Sequence, residues 1–190
     1  LFDTMERDRG QYDTPRDIFW ASGAAIMMRR SALQRVGLLD ERFDMHMEEI
    51  DLCWRMQRAG YRIRYVPKSK VYHIGGASLP KDAPEKTYLN FRNSLLMLYK
   101  NLPPYAWPRT FAERVLVDAG ALAQRIGQGQ FRHAAAIVRA YADAHRMRTS
   151  FRQATGGRVV LPPYRRFVAL DYFALGRQRF TYLPEGCFRD

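Results

Sequence analysis

Glu48, Glu49 and Asp51 crowd three carboxylates into four positions of the stretch HMEEIDLCWR, residues 46–55, in a chain whose formal net charge is +12. One or two acidic side chains at a helix start are accounted for by the helix dipole and the free N–H groups there, at about 0.3–1 kcal/mol each. A third is harder to account for. Neighbouring carboxylates repel and raise each other's pKa, a cost offset by a cation, a substrate hydroxyl or a proton-transfer role. A carboxylate at a loop-to-helix junction has one rigid end and can face a cleft. That suits a general base, which must come within hydrogen-bond reach of the proton it removes. Asp51 has a plainer alternative as a cap of its helix. Arg55 either pairs with Glu48 or Asp51 at helical spacing or contacts a diphosphate. On their own, His73 reads as a structural residue, Trp20 as core and Ser22-Gly23 as a turn.

The elements that must position these groups follow from pattern. FWASGAAIMM, residues 19–28, reads as a buried strand, with Ser31 as the N-cap of a short helix over Ala32 to Val36 that Gly37 stops. A helix is expected over Asp51 to Ala59, because Leu52, Met56 and Ala59 share a face and Gly60 supplies the stop. Cys53 falls in this apolar pattern and is expected to pack as a small hydrophobe. Tyr61 to Val66 and Lys70 to Ile74 read as strands closed by Pro67 and Gly75-Gly76. TYLNFRNSLLMLYK is a helix that Leu102-Pro103-Pro104 ends. Two amphipathic helices over 109–126 and 131–149 follow, the second with a stripe of Phe131, Ala135, Val138 and Tyr141/Ala142 beside arginines. A short helix is expected over Phe167 to Leu175. The fold class is therefore α/β, with a division near Leu102 into residues 1–101 and a helical annex, 102–190.

Composition narrows the classes. Hydrophobic residues make up 47% of the 190, which excludes a disordered chain, and no apolar run approaches the ~20 residues of a membrane span. The opening LFDTMERDRGQYD has no basic segment followed by an apolar one, so it is no signal peptide. It reads as the interior of a longer protein. Two distant cysteines, Cys53 and Cys187, make neither a disulfide framework nor a zinc knuckle, and imply reduced thiols in a cytoplasmic setting. Residues 101–190 hold 14 basic residues, all arginine, against six acidic ones. Such a surface attracts phosphate, whether of nucleic acid, anionic lipid or a nucleotide-linked substrate.

Taken in order, Trp20-Ala-Ser-Gly-Ala, Leu39-Asp-Glu-Arg-Phe-Asp, Glu48-Glu-Ile-Asp-Leu-Cys-Trp-Arg, Ala59-Gly-Tyr-Arg-Ile-Arg-Tyr-Val-Pro and Val71-Tyr-His-Ile-Gly-Gly resemble the C-terminal half of the catalytic domain of family 2 glycosyltransferases, nearest the bacterial rhamnosyltransferase-like members. The resemblance covers residues 18 to 100, and Lys86 to Lys100 resembles a helix common in that subgroup. It implies a GT-A fold that binds a nucleotide-diphosphate sugar and transfers the sugar, usually with inversion, to a glycan or polyprenyl-linked acceptor. It also implies a catalytic base at Glu49, where the family phrase usually carries Asp. Glu48 and Asp51 are then supporting or acceptor-orienting groups. Trp20, Ser22 and Gly23 lie at the cleft floor, with Trp20 stacking on a sugar ring, and Arg55 is a candidate substrate contact. His73 would help hold a divalent cation, Mg or Mn, and would face the same sugar-sized hollow as Glu49. The other metal ligands, the family's Asp-x-Asp, are absent from these 190 residues and expected upstream, so this chain alone is expected to be inactive.

For the annex, packed helices compete with an interfacial mount that lays an apolar stripe in the headgroup zone and arginine on lipid phosphate. The mount implies a peripheral protein on the inner face of the plasma membrane. Two other classes compete: a non-catalytic membrane-associated adaptor on a degenerate transferase fold, and a nucleic-acid-binding module. The second leaves the acidic cluster unexplained, since carboxylates repel a phosphate backbone, and no nucleic-acid partner is expected.

Overall fold

A computed structural model describes residues 6–73, 80 and 82–189. Strand β1, Arg16–Ile18, pairs antiparallel with β2, Ile63–Tyr65, so that Arg16 faces Tyr65 and Ile18 faces Ile63. Between them run α1, Arg30–Val36, a 3₁₀ turn at Glu41–Phe43, and α2, Glu48–Arg58. Three longer helices follow: α3, Pro84–Asn101, α4, Trp107–Gly127, and α5, Phe131–Met147. The remaining residues are irregular apart from short turns, including a π-helical turn at Leu170–Ala174.

The helices end as their sequences dictate. Gly60 takes φ 92° after α2, and the Tyr61 N–H returns to the Met56 carbonyl at 3.0 Å, closing the last turn. Pro84 opens α3, where its missing N–H costs nothing, and Leu102, extended ahead of Pro103, ends it. Gly129, at φ 69°, turns α4 into α5.

Several sequence expectations need correction. Residues 19–28 form no strand. Alanine, serine and glycine there offer little side chain to bury, and Met27 is almost wholly exposed. Lys70 to His73 is likewise not a strand, while Ile74 to Gly76 lies outside the described residues. Ser31 lies inside the first turn of α1, whose N-cap is the extended Arg29. The apolar stripe expected on α5 is its outer face. Phe131 and Val138 are exposed, and Ala134, Ile137, Ala140 and Ala144 are buried instead.

That alanine face explains the packing. Small side chains let α5 lie close along α3, against Tyr88 and Leu89, in the most extensive helix pairing of the molecule. The main core sits at the other end of α3. It gathers Phe43, Trp54, Leu95, Leu96 and Leu102 with Ala144 and Phe151, so it joins residues from both ends of the chain. Trp54 is stacked edge-on by Phe19 at 5.0 Å, and its indole N–H donates to the Val160 carbonyl at 2.9 Å. A third cluster, Ala32, Leu52 and Met56, seats α1 on α2.

Cys53 is fully buried and burial pushes its thiol pKa up, whereas Cys187 is partly exposed. A thiol-reactive dye is therefore expected to label one cysteine quickly in the native protein and the second only in denaturant. Fast labelling of both would contradict the packing of α2.

Candidate active site

The acidic stretch forms the first turn of α2, entered through a strained loop. Asp44 has φ 59° and ψ −68°, and the Met45 N–H donates to the Phe43 carbonyl at 2.7 Å, which is a γ-turn of the positive-φ kind. His46 and Met47 follow at φ 72° and 75°. Among the described residues these three are the only positive-φ positions that are not glycine. Such conformations cost on the order of 1–3 kcal/mol each and persist where the surroundings impose them.

Among the described residues, five buried side-chain polar atoms lack a hydrogen-bond partner. Three of them, His46 Nε2, Glu48 Oε2 and Glu49 Oε2, fall within four consecutive positions. An enclosed polar atom without a partner is expensive, and native proteins keep few. The electrostatics run the same way. Burial pushes the Glu48 carboxyl up from its ordinary value, and the Glu49 charge adds to the push. Burial pulls the His46 imidazole down, Lys86 reinforces this and Glu49 opposes it. Two carboxylates and an imidazole thus share one partly desolvated corner, able to accept a proton and to hydrogen-bond a polyhydroxyl ligand.

The loop carrying Trp20 is fastened beside this corner. Gln57 Nε2 donates to the Phe19 carbonyl at 2.6 Å, and the Ala21 backbone hydrogen-bonds the Cys53 thiol, one helical turn beyond Glu49. Trp20 itself is 42% exposed, Ser22 and Gly23 are exposed, and a Cβ built on Gly23 meets nothing within 4 Å. These residues therefore present an open surface. A hollow of about 830 Å³, bounded by Ala21, Ile26, Met28 and Tyr65, is walled partly by this loop and does not include Glu49.

Asp51 and Arg55 belong to the interior. Asp51 is fully buried: Oδ2 accepts from Arg55 Nε and Lys100 Nζ, both at 2.8 Å, and Oδ1 accepts from Asn101 Nδ2 at 2.7 Å. It caps no helix N–H among the described residues, and its enclosure and three bonds give it a place in the interior rather than at an open surface. Arg55 donates also to the Val36 and Leu38 carbonyls at 2.5 and 2.7 Å, so its guanidinium ties α2 to the end of α1 rather than contacting substrate. Lys100 bridges on to Asp40 at 2.8 Å. Burial raises the Asp40 pKa, but the bonds from Arg42 and Lys100 outweigh it and hold this carboxyl well below the usual range.

His73 is exposed, and among the described residues no three His, Cys, Asp or Glu side chains converge to hold a metal ion. The described residues therefore do not by themselves make a metal centre. His46, Arg92 and Asn93 also build the corner, and no sequence motif marks them. An Arg-Asn pair interrupting the apolar helix TYLNFRNSLLMLYK was the available signal for the last two.

Residues 2–83 match the model of glycosyl transferase family group 2. Over this part, under half of its length, the chain is similar to family 2 glycosyltransferases, rhamnosyltransferases among them. It is 35% identical over 95 residues to the N-acetylglucosaminyl-diphospho-decaprenol L-rhamnosyltransferase of Mycobacterium tuberculosis, a match covering 50% of this chain and 31% of that protein. It is 42% identical over 71 residues to the pre-mycofactocin glycosyltransferase of the same organism, covering 35% and 15%. Over 54 residues it is 39% identical to rhamnosyltransferase WbbL of Escherichia coli, covering 28% and 20%. The chain thus spans under a third of the length of these relatives. No solved structure matches it.

Proposed function

We propose that this chain supplies the acceptor side and the base of a GT-A glycosyltransferase. The enzyme moves a sugar, with inversion, from a nucleotide-diphosphate sugar to a glycan or polyprenyl-linked acceptor. The observation that carries the reading is the set of three enclosed, unpartnered atoms, His46 Nε2, Glu48 Oε2 and Glu49 Oε2, on partly buried side chains at the α2 N-terminus. The names of the mycobacterial and E. coli relatives support the sugar chemistry and, in the first case, a lipid-diphosphate acceptor.

In this mechanism Glu49 takes the proton from an acceptor hydroxyl as that oxygen attacks the anomeric carbon. The bond from that carbon to the diphosphate oxygen breaks, and its electron pair leaves with the nucleoside diphosphate. Attack from the face opposite the leaving group inverts the centre. Glu48, whose pKa is raised, and His46 hold acceptor hydroxyls, and exposed Trp20 offers a face for a sugar ring. Gly23 leaves room beside it. The donor-binding half of the site is expected from sequence outside these residues, so the assay belongs to the full-length protein. Incubated with a nucleotide-sugar panel and a lipid-diphosphate acceptor, it should form a glycosylated product and release nucleoside diphosphate, and Glu49→Gln should abolish both.

We further propose that the protein works peripherally at the cytoplasmic face of the plasma membrane. No helix among the described residues is long and apolar enough to cross a bilayer. The exposed side of α4, however, is continuously apolar: Phe111, Val115, Leu116, Ala119 and Ala123 recur at helical spacing. A face of this kind lays itself into the headgroup zone of an anionic bilayer. Leu116→Glu should lower cosedimentation with phosphatidylglycerol-rich vesicles at least about fivefold, given about 0.8 kcal/mol per buried methylene. Unchanged cosedimentation would remove this surface from the mount.

A further inference from the structure

We infer that Arg92 and Asn93 on α3 are positioning residues for Glu49, acting through the strained turn Phe43–Met47. The inference rests on the role of Glu49 as base. Asn93 is fully buried, and its single amide nitrogen donates to three carbonyls of the turn: Phe43 at 2.6 Å, Met45 at 2.7 Å and His46 at 3.0 Å. Its side-chain oxygen accepts from Arg92 Nε at 2.8 Å, which fixes the amide the right way round. Arg92 in turn reaches the Phe43 carbonyl at 3.2 Å and the Asp44 carboxylate at 3.3 Å.

These bonds meet the backbone where it is least comfortable. The Phe43 carbonyl accepts from the γ-turn and from both side chains, and every non-glycine positive φ among the described residues lies between Asp44 and Met47. Released from α3, the turn would relax toward ordinary dihedrals. The Met47 carbonyl receives the first helical bond of α2, from the Asp51 N–H at 2.9 Å. A change of path at Met47 therefore re-aims Glu48 and Glu49. The clamp is itself braced from behind. Tyr88 lies within reach of Arg92 and donates its hydroxyl to Asp143 on α5 at 2.9 Å. The helical pair α3 and α5 thus supports a catalytic corner that neither touches with a reacting group.

The test has a structural and a kinetic arm. In Asn93→Ala, amide exchange at residues 45–51 should quicken at least about tenfold while α4 keeps its rates. Sugar transfer by the full-length variant should lose about 10- to 100-fold in kcat with acceptor KM within about threefold, the mark of a displaced reacting group rather than lost binding. Glycine tolerates the Asp44 dihedrals, so Asp44→Gly in the Asn93→Ala background should recover a large part of that kcat. Unchanged exchange, an unchanged kcat, or a loss that Asp44→Gly leaves in place would each overturn the inference. If Asn93→Ala does not fold, Arg92→Gln replaces it, with a smaller kcat loss at constant KM expected and no loss overturning. Should Glu49→Gln prove as active as wild type, the base assignment fails and the inference falls with it. The exchange arm still separates that case from a turn that was never held by Asn93.

Discussion

Asp51→Ala is expected to lower the unfolding free energy by about 3–5 kcal/mol, the loss typical of removing one partner from a buried ion pair. The carboxylate is wholly enclosed and joins three groups from two helices: Arg55 on its own helix, and Lys100 and Asn101 at the end of α3. Alanine leaves the Lys100 ammonium only 14% exposed with Asp40 as its single counter-ion, and strips the guanidinium of Arg55 of its charge partner. The fallback bonds, Arg55 to the Val36 and Leu38 carbonyls and Asn101 to the Met97 carbonyl, temper the loss without replacing the charge. Asp51→Asn keeps the shape and one acceptor and should cost less. Urea unfolding at neutral pH measures both. A loss below about 1 kcal/mol for Asp51→Ala, the range of an exposed pair, would show that the network contributes little to holding α2 on α3.

Glu49→Gln should reduce kcat for sugar transfer by about 10²- to 10⁴-fold, the usual contribution of a general base. Gln has nearly the same volume and can still hydrogen-bond a hydroxyl, so acceptor KM should stay within about threefold and the fold should be undisturbed. It cannot take up the proton, so the step that raises the nucleophilicity of the acceptor oxygen is lost. Glu48→Gln serves as the comparison. Its carboxyl already has a raised pKa from burial, so neutralising it removes less, and a loss of at most about tenfold is expected. Transfer by Glu49→Gln at the wild-type rate would remove Glu49 as base. No transfer by the unaltered full-length protein would favour the adaptor class.

The helices were legible in the sequence, and so was β2 within Tyr61 to Val66, while β1 was not, for one reason. Leu52 and Met56 on α2, or Pro84 and Leu102-Pro103 around α3, are signals carried within a few residues, and local hydrogen bonding lets them act locally. Strand β1 pairs with a segment about forty-five residues away, and nothing in Arg16–Ile18 announces its partner. FWASGAAIMM looked like a strand because it is apolar, yet small side chains give a strand little to bury. In the site, the carboxylates of Glu48 and Glu49 stood out by their crowding. Asp51 and Arg55 carried the same chemical signature as their neighbours. Only the positions of Lys100, Asn101 and the α1 carbonyls, all distant in sequence, decide that they face inward. His46 was hidden differently: nothing near it in sequence announces its left-handed backbone, whose carbonyl accepts from Asn93, far along the chain.

Helix α3 has a consequence for how the molecule comes apart. One end of it meets Phe43 and Trp54, and its flank receives the alanines of α5. A break in sequence at Leu102 is therefore not a break in cohesion. Melting the last ninety residues would strip the partner from the helix that grips the acidic corner, so the annex and the corner should be lost as one cooperative unit, and nicking the chain between them would leave neither half with a finished interior.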